Sequence, residues 1–237
     1  MPFLEKVIQT YSTIIEVGCT SLNAARDIAR RLREHGFQAW LVGGCVRDLL
    51  LGREPKDYDV STDARPGAVA QLFPGAQLVG AHFGVVLVDG VEVATFRSDG
   101  QYADGRRPEG VRFETDPAKD VQRRDFTINA LMLDPLQEDL NPAAVVDYVG
   151  GLADLRAGVI RAIGDPVHRF EEDHLRMLRA IRFAARFGFT IDPATMAAMR
   201  ELHAKIQRIA PERIRDELIR ILTEGGARRG LELLDES

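Results

Sequence analysis

The chain is short of the residues that build disulfide or zinc frameworks: among 237 residues it has two cysteines, Cys19 and Cys45, both in apolar or small-residue surroundings. Neither supplies the paired spacing of a disulfide scaffold or a tetrahedral zinc site, which is the usage of a reducing compartment. A basic excess is also missing. Lys and Arg number 31 against 36 Asp and Glu, a net charge of −5, so any nucleic-acid partner must be held by local clustering. No run of about 18 apolar residues occurs. The N-terminal MPFLEKVIQTYSTIIEVG is interrupted by Glu5, Lys6 and Glu16, so neither a signal peptide nor a transmembrane helix is expected, and the protein is expected to be cytoplasmic. What the chain does have is 45% hydrophobic and 28% charged residues, the balance of a globular protein able to bury a core.

Residues 21–35 place Leu22, Ala25, Ile28, Ala29 and Leu32 at helical spacing with Gly36 just beyond, which predicts an amphipathic helix with a glycine stop. AWLVGG (39–44) predicts a short buried strand running into a double glycine, and VRDLLLG (46–52) a turn or two of helix. KDYDVST (56–62) predicts a second strand, with Tyr58 and Val60 alternating against Asp57 and Asp59. GVVLVDGVEVATFRS (84–98) reads as a hairpin about Asp89-Gly90. The strand-helix alternation of a doubly wound sheet is absent, and from Phe170 onward the pattern is helical. The expected class is α+β, with a strand-rich domain over 1–150 and an all-helical segment over 151–237.

Asp57 and Asp59 are the most informative acids, because side chains two apart on a strand share a face and can hold one or two divalent ions. Taken alone they could equally be surface acids on a strand edge. Upstream, Gly43 and Gly44 allow close backbone approach to a ligand and offer N–H groups to phosphate oxygens, and Arg47 follows as a phosphate counter-charge. A bare Gly-Gly is otherwise a tight turn. Glu92, set in the apolar VEVATF, reads either as a third metal-facing carboxylate or as an edge position facing water. With Mg2+, these acids fit two-metal nucleotidyl transfer.

A helix expected over about 171–187 carries Arg176, Arg179, Arg182 and Arg186 within an arc of about 120°, a basic stripe that is either solvated or phosphate-binding. Asp173 precedes Arg176 by three residues, setting an acceptor beside a donor. Cytosine and adenine present an exocyclic amino donor next to a ring-nitrogen acceptor, whereas guanine and uracil present the reverse, so an Asp-Arg pair can select the first two. An ordinary i to i+3 ion pair is the alternative. In RRDFTINA (123–130), Arg124 could bind a triphosphate and Asp125 could hold an arginine or a sugar, or the group could be a surface charge cluster. His82, His168 and His174 lack metal-ligand spacing and read as structural or surface residues.

Together LVGGCVRDLLLG with KDYDV, GAHFGVVLV with VEVATFRSDG, YADGRRPEGV, RRDFTINA, and EEDHLRMLRAIRFAARFGF followed by APERIRDEL resemble the class II tRNA nucleotidyltransferases. These are the CCA-adding enzymes of the polymerase-β-like superfamily and their bacterial poly(A) polymerase relatives. The resemblance implies a head with a mixed, largely antiparallel sheet, then a helical neck. It implies that Asp57 and Asp59 hold catalytic magnesium, that Gly44 and Arg47 contact the incoming nucleotide, and that Arg124 and Asp125 line its pocket. Asp173 and Arg176 would be the amino-acid template for CTP and ATP, and Arg179 and Arg182 would reach the phosphates. Asp104 to Arg107 resembles the loop that switches the family from C to A addition, which argues against a CC-only enzyme. LVGAHFG (78–84) stands where the poly(A) polymerases carry a basic, bulky segment, which favours a tRNA 3′ end as partner over poly(A) synthesis; an A-adding enzyme and a poly(A) polymerase are the alternatives within the family. A non-catalytic RNA- or nucleotide-binding module is the remaining alternative. Family members continue into helical body and tail domains, so a chain reaching Ser237 is expected to be a head-and-neck portion with weakened tRNA grip.

Overall fold

The computed structural model describes residues 22–100, 110–137 and 142–237. They form two compact units, each built from separated stretches of chain. The first takes the described residues up to Phe96, then Phe113–Pro117 and Met132–Val146; the second takes Arg97–Arg112, Ala118–Leu131 and Asp147–Ser237. A single division near residue 150 therefore does not describe them, because Ala118–Leu131 belongs with the helices that follow.

The first unit is organised on a six-stranded sheet. Its strands are β1 (Ala39–Val42), β2 (Val60–Thr62), β3 (Gln77–Gly80), β4 (Val85–Val88), β5 (Val91–Thr95) and β6 (Met132–Leu133), in the spatial order β3-β4-β5-β2-β1-β6. Only β2 and β5 run parallel, with Val60 opposite Val93; the other neighbours are antiparallel. The β4–β5 turn is the expected two-residue hairpin, with Asp89 at φ 48° and Gly90 at φ 83°. Positive φ at both positions matches the natural twist of paired strands. Helix α1 (Leu22–Glu34) buries Ala25, Ile28, Ala29 and Leu32 and packs on β1 and β2. Each buried Leu or Ile contributes about 1.5–3 kcal/mol, so an aspartate at Ile28 would detach the helix. Two short helices, α2 (Gly44–Leu50) and α3 (Pro66–Leu72), follow β1 and β2.

The second unit is mostly helical: α4 (Pro117–Gln122), α5 (Gly151–Ala157), α6 (Pro166–Glu172), α7 (Leu175–Phe187), α8 (Pro193–Leu202), α9 (Pro211–Thr223) and α10 (Ala227–Glu236). Helices α6 and α8 start alike, with Asp165 and Asp192 accepting from the backbone N–H groups of His168 and Thr195 and a proline in the first turn. Helix α7 packs against α9 and α10. The single helix expected over 171–187 is instead two helices, because Asp173 adopts an extended backbone at φ −153° and ψ 104°. Among the described residues no helix is long and apolar enough to cross a membrane.

Candidate functional site

In the first unit the glycine turn joins β1 to α2. Gly43 sits at φ 82° and ψ −131°, a conformation that an L side chain rarely adopts, which fixes glycine there. Arg47 is buried, with Nε 2.9 Å and Nη2 2.7 Å from Asp48 Oδ1, and a methyl group placed on Gly44 would lie 3.5 Å from that same Nη2. The guanidinium therefore lies beside the turn with Asp48 balancing its charge.

Asp57 and Asp59 are not inside a strand as 56–62 suggested, since β2 begins at Val60. The alternation nevertheless holds: Tyr58 and Val60 are buried, Asp57 is exposed and Asp59 half-buried, so the carboxylates take the side away from the core. The Asp59 carbonyl accepts from Val42 N–H at 3.3 Å, which ties this segment to β1. Behind it Cys45 donates to the Val42 carbonyl at 3.4 Å. Burial, reinforced by the Asp59 charge, pushes its thiol up to about 11, which keeps it an inert S–H.

Glu92 is a correction. It is exposed, not embedded, while Val91 and Val93 on either side are buried, so burial gives no reason to expect a partner for it. The β2–β5 register pairs Val60 with Val93, which sets Asp59 and Glu92 on the opposite face together. Among the described residues no three His, Cys, Asp or Glu side chains form a closed metal-holding group.

The second unit carries the arginines. Asp125 is buried and every oxygen is used: Oδ1 accepts from Phe126 N–H at 2.8 Å and Asn129 Nδ2 at 3.1 Å, and Oδ2 from Arg179 Nη2 at 2.6 Å and Nε at 2.9 Å. Burial alone would raise its pKa, but the Arg179 charge and these hydrogen bonds hold the carboxyl well below the usual carboxylate range. Of the two roles open to Asp125, the geometry selects holding an arginine. Asp120 does likewise, accepting from Arg123 Nε at 2.9 Å and Arg124 Nη2 at 3.0 Å. Arg124 Nε is buried with no hydrogen-bond partner among the described residues.

Asp173 and Arg176 flank the α6–α7 corner. They are tied through the backbone, Arg176 N–H to the Asp173 carbonyl at 3.0 Å, but their side chains have separate partners. The Asp173 carboxylate takes Arg213, while the Arg176 guanidinium donates to Glu172 and to the Arg169 and Arg123 carbonyls at 3.0 and 3.4 Å. Of the basic stripe, Arg182 is buried and so is not solvated. Its Nε lies 2.8 Å from Glu217 Oε2, without the alignment of a hydrogen bond, and its Nη1 donates to Glu224 at 3.3 Å. These two acids from α9 and its end make Arg182 a fastening between helices. His174 is buried at the start of α7 and burial lowers its pKa, whereas His82 and His168 are exposed. Asp104 and Arg107 lie outside the described residues. The sequence reading missed Arg213 and Asn129. APERIRDEL stood out as a motif, but nothing in its spacing shows which acid its arginine meets 40 positions away.

Comparison with known proteins brings these observations together. Residues 39–161 match the poly(A) polymerase head domain, and residues 188–237 match the probable RNA and SrmB-binding site of polymerase A. The chain is 43% identical over 221 residues to the CCA-adding enzyme of Limosilactobacillus fermentum, covering 92% of this chain and 54% of that protein. Among solved structures, the Bacillus stearothermophilus CCA-adding enzyme in complex with CTP matches with a TM-score of 0.81 at 37% identity, covering 91% of this chain and 52% of that one. The Thermotoga maritima CCA-adding enzyme complexed with tRNA matches at 0.72 and 29% identity, covering 90% and 50%. The chain spans about half the length of the relatives it matches.

Proposed function

Since the chain belongs to the poly(A) polymerase head-domain family, we propose that it is the catalytic and nucleotide-selecting part of a cytoplasmic CCA-adding enzyme, transferring CMP and AMP from CTP and ATP to a tRNA 3′ end. Asp57 and Asp59 would hold Mg2+, which when bound makes the terminal hydroxyl a better nucleophile and neutralises charge on the departing pyrophosphate. Gly43 and Gly44 give the nucleotide close access to the backbone, and Arg47 supplies a positive charge beside the turn.

Base choice belongs to the second unit. Asp173 supplies an acceptor and Arg176 a donor at one helix corner, the polarity that pairs with cytosine and adenine and opposes uracil and guanine. Arg124 offers its unpartnered Nε to a phosphate oxygen. Arg179, held by Asp125 through Nε and Nη2, would offer its remaining N–H groups to the phosphates. Asp104 to Arg107, read from its resemblance alone, would act in the change from C to A addition.

The observation that carries this proposal is the placement of an oppositely polarised Asp173 and Arg176 at the α6–α7 break, in a chain whose relatives are CCA-adding enzymes. Incubating a tRNA lacking its CCA end with each nucleotide separately, and with Mg2+, tests it. Incorporation of C, then A, supports the proposal. Addition of A only after a CC end makes it an A-adding enzyme, a long A tail makes it a poly(A) polymerase, and binding without incorporation makes it a nucleotide-binding module.

A further inference from the structure

The arginine assigned to the triphosphate shares a buried acid with its neighbour. Asp120 lies on α4 and is 1% exposed. Its Oδ1 faces Arg123, with Nε at 2.9 Å and Nη2 at 2.7 Å, and accepts from Arg97 N–H at 3.3 Å. Its Oδ2 accepts from Arg124 Nη2 at 3.0 Å. Burial alone would raise its pKa, but the Arg124 and Arg123 charges and their hydrogen bonds bring it below the ordinary carboxylate value, so the group is ionised at neutral pH.

The charges around Asp120 do not cancel. Asp99 lies 3.0 Å from Arg97 Nε and 3.9 Å from Arg123 Nη1, so Arg123 has two acids beside it, whereas Arg124 pairs among the described residues with Asp120 alone. Three arginines, Arg97, Arg123 and Arg124, stand against two aspartates, a surplus of one positive charge. Each oxygen of Asp120 has its own arginine: Arg123 and the Arg97 N–H hold Oδ1, and Oδ2 in turn fixes Arg124 Nη2. The surplus cation is thereby held at one end, and its direction is set by an acid too buried to meet an incoming anion itself.

We propose that Asp120 is a positioning residue for triphosphate binding: by holding Arg124 through Nη2, it directs that guanidinium toward the phosphates of the bound nucleotide. This rests on Arg124 being a triphosphate ligand, as proposed above. Charge and positioning have opposite signs here. Neutralising Asp120 adds a positive charge to the site, so removal of a bystander acid would let the nucleotide bind more tightly. Removal of a positioning acid lets Arg124 turn away, and the nucleotide binds more weakly in spite of the added charge. That loss falls on nucleotides carrying the triphosphate and spares the monophosphate.

The test is equilibrium titration of the 237-residue chain with CTP and with CMP in the presence of Mg2+, for wild type, Asp120→Asn, Asp120→Glu, Arg124→Gln and the double variant Asp120→Asn, Arg124→Gln, with thermal unfolding of each. Wild type is expected to bind CTP more tightly than CMP, and Arg124→Gln to narrow that ratio. Asp120→Asn is expected to narrow it by on the order of tenfold with CMP affinity unchanged, within the range that displacement of a positioned group produces. Asp120→Glu, which keeps the charge but displaces it, falls between. In the Arg124→Gln background, Asp120→Asn is expected to change nothing further. Wild type that binds CTP and CMP alike, or Arg124→Gln with the wild-type ratio, overturns the triphosphate reading itself. A folded Asp120→Asn that keeps or widens the ratio, that weakens CTP and CMP equally, or that adds a further loss in the Arg124→Gln background overturns the role of Asp120 alone. If Asp120→Asn does not fold, the wild-type ratio in Asp120→Glu overturns it.

Discussion

Arg179 closes on a single oxygen of Asp125, Nη2 at 2.6 Å and Nε at 2.9 Å from Oδ2, while the other oxygen is filled by Phe126 N–H and Asn129. Asp125 therefore has no site left for a sugar hydroxyl. Its work is to hold one arginine in place, and that pair joins α7 to the RRDFTINA segment.

Asp125→Asn should leave Arg179 without its counter-charge and destabilise the protein by about 3 kcal/mol at pH 7, the usual cost of breaking a buried pair from one side. The pH dependence has a definite sign. The Asp125 pKa is depressed on folding, so its contribution is fully present above the unfolded carboxylate value of about 3.9 and is lost as pH falls toward the folded value. Urea denaturation from pH 7 to pH 2 should show the gap between wild type and variant steady above pH 5 and closing below about pH 4. A gap unchanged at low pH would count against an ionised Asp125 as its source.

Gly151→Ala should be among the most damaging small substitutions. Its added methyl would lie 2.2 Å from the Thr127 carbonyl oxygen, which is backbone and cannot swing aside. Thr127 is also fixed through its hydroxyl, 2.7 Å from Asp154 Oδ2. Overpacking of this kind costs about 1–3 kcal/mol or more, and the displaced segment contains Asp125. Thermal unfolding and CTP binding should both suffer; wild-type values for both would show that the segment yields freely.

The double variant Asp57→Asn, Asp59→Asn should abolish incorporation and weaken binding of Mn2+ or Mg2+ by calorimetry, while thermal stability stays within about 0.5 kcal/mol of wild type, as expected for exposed or half-buried side chains. Retained metal binding would remove the assignment of these carboxylates.

Glu217→Gln should behave in the opposite way. The variant leaves buried Arg182 short of charge compensation, at a cost of about 3 kcal/mol, and is expected to leave the CTP-to-UTP preference intact. Loss of CTP binding at temperatures where the variant is folded would restore Arg182 to the nucleotide site.

The sheet, the first helix and the hairpin were legible because each is decided by local signals: apolar period, a glycine stop, and an Asp-Gly pair with positive φ. The break at Asp173 was not legible, because FEEDHLRMLRA holds no glycine or proline and its period runs on unbroken. At the break the Asp173 carboxylate meets both a local partner, Leu175 N–H at 3.1 Å, and one 40 residues away, Arg213. The partners of Arg182 were not legible either: its acids, Glu217 and Glu224, come from 35 and 42 residues downstream. Glu92 shows the converse error. The alternation V-E-V already described a one-sided strand, and that local signal was outweighed by the apolar company around it. The side that Asp57 and Asp59 take was legible in the local alternation, whereas a contact such as Asn129 with Asp125 carries no signal in the spacing.

The central claim, that this chain chooses cytosine and adenine by side-chain polarity and joins them to an RNA end, is tested most directly by supplying the four nucleoside triphosphates one at a time to a CCA-less tRNA and sequencing the product ends. The account predicts two C residues with CTP, A when CTP and ATP are both present, and little addition from UTP or GTP. Equal extension with all four, or extension that survives Arg176→Ala with its selectivity intact, would contradict it.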